Sequence, residues 1–195
     1  MGQSERRNQI LEAFLKLVAR GGIAAVNLRT VALEAGCSLG MVQRRFPSKD
    51  ALLEAAIAHS VGRLERRLRP LPLSDGYLSA RQFLERVLTE LTLTTLETRG
   101  ETVIWLSVLE QAVIVPEYAQ HLRCYYQPAQ GELAEIIAHG QRTNEFNPQL
   151  EPLETAISLL ALADGLTLQL QIGSITAQQA QAVLICQLEM LAAIA

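Results

Sequence analysis

Residues 28–46 read Leu28-Arg29-Thr30-Val31-Ala32-Leu33-Glu34-Ala35-Gly36-Cys37-Ser38-Leu39-Gly40-Met41-Val42-Gln43-Arg44-Arg45-Phe46. Two short apolar-periodic runs flank a tight turn at Ala35-Gly36-Cys37, where glycine lets the backbone take a turn conformation. Asn27 caps the first run and Ser38 the second. Val31, Ala32 and Ala35 face inward from one helix, Val42 and Phe46 from the other. This is a helix-turn-helix layout, which sets its second helix in the major groove and its first across the backbone. Leu39, Gly40, Met41, Gln43, Arg44 and Arg45 are left outward or edge-on. Gly40 permits close approach of DNA, and Arg and Gln suit the edges of guanine and adenine. Arg29, Arg44, Arg45 and Lys49 can neutralise phosphates. Ser48 opens a further helix whose free N–H groups suit an anion. Without further support, the same segment reads as a small packing unit with a solvated basic face.

Charge supplies that support. The 195-residue chain has a net charge of −3, which on its face argues against nucleic acid. Residues 1–69 hold twelve Lys or Arg against six Asp or Glu, a net of +6; residues 70–195 hold five against fourteen, a net of −9. Such asymmetry marks a nucleic-acid or membrane-facing part joined to something else. The acidic part repels phosphate, leaving the basic part to make contact. The change falls at Arg69-Pro70-Leu71-Pro72 and Ser74-Asp75-Gly76, a helix-ending joint. Fifteen of the seventeen basic residues are Arg, which favours planar contacts to phosphate or reflects a GC-rich genome.

The rest is helical. A first helix over about 4–20, capped by Ser4, carries Ile10, Phe14, Leu17 and Val18 on one stripe and stops at Gly21-Gly22. A fourth, over about 48–69, carries Leu52, Ala56, Ile57, Val61, Leu64 and Leu68. Five more are expected over about 77–98, 101–114, 116–143, 152–172 and 176–194, separated by Gly100, Pro116, Asn147-Pro148 and Gly173-Ser174. The expected fold is all-α with nine helices. A domain over 1–50 that carries the helix-turn-helix is linked through the fourth helix to an acidic helical domain over 51–195. Three dispersed cysteines, Cys37, Cys124 and Cys186, make no disulfide framework, and a reducing cytoplasm is the simplest setting. No apolar run reads as a membrane span, and the polar start carries neither a signal-peptide core nor a myristoylation pattern.

The residues also form an ordered set. Arg6-Arg7-Asn8-Gln9-Ile10-Leu11-Glu12-Ala13, Gly21-Gly22, Leu28-Arg29-Thr30-Val31-Ala32, Ala35-Gly36-Cys37-Ser38-Leu39-Gly40 and Phe46-Pro47-Ser48-Lys49-Asp50-Ala51-Leu52-Leu53 closely resemble the N-terminal domain of TetR-family transcriptional regulators. Trp105-Leu106, the run from Arg142 to Pro152, and Leu162-Ala163-Asp164-Gly165-Leu166 loosely resemble the branch with the choline-responsive BetI repressors. The resemblance implies a homodimeric repressor on a palindromic DNA operator, released by a small-molecule effector. It implies base contacts at Leu39 and Gly40 and phosphate contacts at Lys49 and the 43–45 segment. Leu39 stands where the family often has lysine, and Gln43-Arg44-Arg45 where it usually has Tyr-Tyr-His, so the operator should differ from those of better-known members. The candidate DNA contacts are Asn27, Arg29, Thr30, Ser38, Leu39, Gly40, Gln43, Arg44, Arg45 and Lys49.

The acidic half offers two partners, itself and a ligand. Leu159, Ala163, Leu166 and Leu170 on the eighth helix, with Leu184, Leu188 and Leu191 on the ninth, suit a four-helix dimer bundle; the alternative is that they face the subunit's own core. Ligand candidates are Phe83, Trp105, Leu109, Gln111, Tyr118, His121, Tyr125 and Asp164. The aromatic side chains could cage an organic cation with Glu110 or Asp164 as counter-charge, or hold a neutral hydrophobic ligand. His121 and Cys124 are too few for a metal, and no cofactor is expected. The expected mechanism is that ligand shifts the sixth helix, which pushes the fourth and moves the DNA heads apart. An activator or ligand-independent regulator is the alternative on the same fold. A structural helical module is disfavoured by the charge split. An enzyme is not expected, since there is no phosphate loop, nucleophile elbow or metal cluster.

Overall fold

In the computed structural model, residues 2–68, 78–92, 95 and 98–192 are described, apart from the Gln3 side chain. The expected joint at 69–76 and the proposed ends of several helices lie outside these residues. Nine α-helices and one 3₁₀ turn (Ile23–Ala25) are found among them: α1 (Gln3–Gly21), α2 (Leu28–Glu34), α3 (Leu39–Arg45), α4 (Lys49–Leu68), α5 (Ala80–Thr92), α6 (Arg99–Ile114), α7 (Pro116–Arg142), α8 (Pro152–Gln171) and α9 (Ala177–Met190). No strand occurs among the described residues; Phe146 and Ala192 form an isolated bridge.

The chain groups into two compact units, residues 1–65 with 95–118, and residues 66–94 with 119–195. In the first unit, α1 buries Ile10, Leu11, Phe14, Leu15 and Val18 and packs chiefly on α6 and α2. The caps read from sequence form: Asn27 accepts from the N–H groups of Arg29 and Thr30 at 3.0 and 3.1 Å, Ser38 from Met41, and Ser48 from Ala51. Ser4 does not cap α1, which starts a residue earlier; Glu5 reaches back to accept from the Gly2 N–H instead.

Gly100 does not separate two helices. It lies in the first turn of α6, buried against α1, where a Cβ would stand 2.5 Å from the Leu15 carbonyl oxygen. The break comes earlier, at Thr95 and Thr98, whose hydroxyls each accept the other's backbone N–H. Threonine hydroxyls compete with the helix ladder in this way.

In the second unit, Ala80, Leu84 and Leu88 of α5, Leu133 and Ile137 of α7, Leu159, Ala163 and Leu166 of α8, and Leu184 and Leu188 of α9 share one core. Phe146, fully buried, fills the space left by the absent side chain of Gly140. Glu145 beside it caps α5, accepting from the N–H groups of Ala80 and Arg81 at 3.1 Å each.

Two expectations are corrected here. Leu159, Ala163, Leu166, Leu184, Leu188 and Leu191 are buried in the protomer's own core, and Leu170 packs half-buried against it. A side chain already enclosed by its own chain has no surface left for a partner. The outward apolar side chains of these helices are others: Leu153, Ile157, Leu168 and Ile172 around α8, and Val183, Ile185 and Met190 on α9. Second, α8 is long and apolar enough to cross a membrane by length and composition, contrary to the sequence reading. Only 33% of its most apolar window is buried within the protomer, because the helix is apolar on two faces and the protomer covers one.

Candidate nucleic-acid interface and effector region

The interface is built from the turn outward. Gly36 takes φ +59°, the left-handed conformation the turn requires. The Gln9 side-chain amide donates to the Ala35 carbonyl at 2.9 Å, and Arg6 donates to Gln9 at 2.7 Å. α1 thereby satisfies the end of α2 and fixes the turn. Val42 and Phe46 are buried, which fixes the rotation of α3. Gly40, Gln43 and Arg44 are left exposed, and Leu39, Met41 and Arg45 half-buried. Asn27, Arg29 and Ser38 are exposed and Thr30 half-buried; the Thr30 hydroxyl completes the Asn27 cap.

Gly40 has no reason within the protomer. A Cβ there would meet nothing within 4 Å, and its φ is not positive. Glycine inside a helix costs about 1 kcal/mol relative to alanine. Lys49 is half-buried and its ammonium donates to the Ile23 carbonyl at 2.6 Å. That bond uses one of three donors. Sequence reasoning missed Arg7, whose guanidinium lies 5.7 Å from the centre of the Phe46 ring. The basic N-terminal run hinted at a role for Arg7, but its stacking on a distant residue left no local signal.

The ligand candidates fall in both units. In the first, Trp105, Leu109 and Gln111 of α6 are half-buried. Tyr118 donates its hydroxyl to Asp50 at the start of α4, 3.0 Å away. Burial first, and then this bond to a carboxylate, hold the Tyr118 hydroxyl above its ordinary pKa. In the second unit, Phe83 packs half-buried on the core, and His121, Tyr125 and Asp164 are half-buried. The Tyr126 hydroxyl donates to the Asp164 carboxylate. Two threonines are buried there. Thr167 donates to the Ala163 and Leu91 carbonyls, whereas the Thr92 hydroxyl has no partner among the described residues. Composition and periodicity gave no signal for Thr92. The three cysteines are free, Cys37 half-buried and the others exposed.

A capped helix-turn-helix within the basic stretch of residues 1–69, with only helices following it among the described residues, is the arrangement of a class of helix-turn-helix transcription regulators. The family model described as bacterial regulatory proteins, tetR family, matches residues 10–56, and that described as BetI-type transcriptional repressor, C-terminal, matches residues 80–193. The chain belongs to the TetR family of DNA-binding transcriptional regulators, with a BetI-type C-terminal region. It is not an enzyme.

The chain is 45% identical over 65 residues to the transcriptional repressor KstR of Rhodococcus jostii, a match spanning 33% of this chain and 31% of that protein. It is 25% identical over 166 residues to the nicotine-responsive repressor HdnoR of Paenarthrobacter nicotinovorans, covering 85% of this chain and 83% of that one. Among solved structures, a transcriptional regulator of Saccharomonospora viridis in complex with choline superposes with a TM-score of 0.80 at 28% identity, covering 96% of this chain and 97% of that one.

Proposed function

We propose that the chain acts as a homodimeric repressor that holds a palindromic operator through α3 of each protomer and is released by a small organic cation. Residues 1–50 contact DNA, residues 51–195 sense the effector and dimerise, and α4 links them. The observation that carries the DNA reading is Gly40: a helical glycine that no neighbour within the protomer requires, flanked by exposed Gln43 and Arg44. An outside surface approaching closely explains it, and a DNA groove is the surface suited to the basic side chains around it.

The cationic effector is supported from two sides. Choline is a quaternary ammonium, and nicotine carries a protonated amine at neutral pH; these are the small molecules named for two relatives. In this chain the Asp164 carboxylate is held by Tyr126, and Thr92 offers a buried hydroxyl in the same unit. A carboxylate beside aromatic faces attracts cations. The outward apolar residues of α8 and α9 supply the dimer contact in this reading, setting the two α3 helices about 34–36 Å apart, one DNA turn.

A gel shift on the DNA upstream of the gene, followed by titration with choline and nicotine, tests this. The expected result is a sequence-specific shift, protected half-sites one turn apart, and release by at least one cation. Absence of any sequence-specific shift at low salt sinks the DNA reading. Release only by neutral hydrophobic compounds sinks the cationic effector.

A further inference from the structure

The expected route of control runs from α6 to α4. The structure contains a second, more direct connection. At Gly100 the backbone of α6 touches that of α1, with no room for a side chain between Gly100 and the Leu15 carbonyl. The next residue, Glu101, pairs with Arg63 of α4: Oε1 lies 2.7 Å from Arg63 Nε. The same guanidinium donates through Nη1 to both oxygens of Glu12 on α1, each at 2.8 Å. His59 of α4 lies with Nε2 2.8 Å from Glu12 Oε1. One arginine thus ties two carboxylates that belong to two other helices. The Glu101 and Arg63 side chains are 11% and 24% exposed, so solvent screens this pairing less than it would a surface ion pair.

Glu12 sits on the same face of α1 as Leu15, close to the point where Gly100 lands. Burial pushes its carboxyl up, but the His59 hydrogen bond and the Arg63 charge outweigh burial and hold it below the ordinary value. Without Arg63, Glu12 and Glu101 would lose the positive charge between them. α6 would then lose the charged tie that joins it, through α4, to α1.

We propose that Arg63 is a positioning residue, a clamp that fixes α6 against α1, so that any displacement of α6 reaches the DNA-binding helices through α1 as well as along α4. This rests on the repressor reading above. Its consequence is that Glu101, on α6 and outside the helix-turn-helix, sets operator affinity.

The test uses the full chain and a duplex enriched from a random pool by the wild-type protein. Affinity is read by fluorescence anisotropy for Glu101→Gln, Arg63→Met, their double variant and Arg63→Lys. Helical circular dichroism at the assay temperature establishes that each is folded. Glu101→Gln and Arg63→Met are each expected to weaken binding about 5- to 50-fold, within the usual range of coupling between sites. The double variant should be no weaker than Arg63→Met, since both remove one connection. Arg63→Lys should recover part of the loss. Should Arg63→Met fail to fold, the near-isosteric Glu101→Gln carries the test. Folded variants that bind as tightly as wild type overturn the clamp, as does a double variant whose loss is the product of the singles. Enrichment of no sequence by the wild type overturns the operator reading, and the clamp with it.

Discussion

Gly40 and Arg44 are separable probes of the same surface. Gly40→Ala fills empty space in a helix and should stabilise the protein by about 0.5–1 kcal/mol, while weakening operator binding by crowding the groove. Urea unfolding and a gel shift on one preparation check both signs; a stabilised variant with unchanged DNA affinity would remove Gly40 from the interface. Arg44→Ala should weaken binding and lower the salt slope by about one if its partner is a phosphate. At this scale the sequence was most legible where a residue acts on its near neighbours. Asn27, Ser38 and Ser48 cap helices two or three residues away, and Gly36 serves its own backbone. It was silent where partners are far along the chain. The stacking of Arg7 on Phe46 and the bridging of Glu12 and Glu101 by Arg63 leave no periodic trace. Thr92 is one threonine in a threonine-rich run, and only packing makes it a buried orphan.

Two glutamates, Glu145 capping the start of α5 and Glu12 within α1, shape the acid response of the elements they hold. Burial pushes the Glu145 carboxyl up, but hydrogen bonds from the Arg81 and Ala80 N–H groups and from Thr143 outweigh it and keep its pKa low. Glu12 behaves likewise through His59 and Arg63. A carboxyl depressed by folding contributes stability that is complete above its unfolded pKa and lost as pH falls through the folded one. The protein should therefore lose stability as pH drops below the ordinary glutamate range. Glu145→Gln should be less stable at neutral pH and show a shallower acid limb; urea midpoints collected from neutral to acid pH would reveal an unchanged limb if the cap is idle. Phe146→Ala, emptying the space beside Gly140, should cost about 3–5 kcal/mol. The helical period of α8 was legible, but its assignment to a partner was not. Leu159, Ala163 and Leu166 form one apolar stripe, and Leu153, Ile157, Leu168 and Ile172 another. Periodicity identifies a helix without saying which stripe its own chain covers.

For the whole molecule, the outward stripe carries the assembly prediction. Leu168→Glu changes a half-exposed side chain and leaves the protomer's core intact. Sedimentation should then report a monomer with unchanged helical content, and operator binding should weaken sharply, because each half-site is gripped alone. A variant that remains dimeric would move the interface elsewhere. The −3 net charge divides along the chain, +6 over residues 1–69 and −9 over residues 70–195, and in the proposed reading the acidic remainder keeps other surfaces off phosphate.

The exposed apolar face of α8 and α9 has a consequence for gene control. If two copies must meet on that face before either can hold its operator, DNA occupancy rises with the square of protein abundance at low copy number. Halving synthesis would then cut occupancy about fourfold in that regime, by mass action. The uncovered leucines and isoleucines of one protomer would thus make a graded change in expression into a steep change in output.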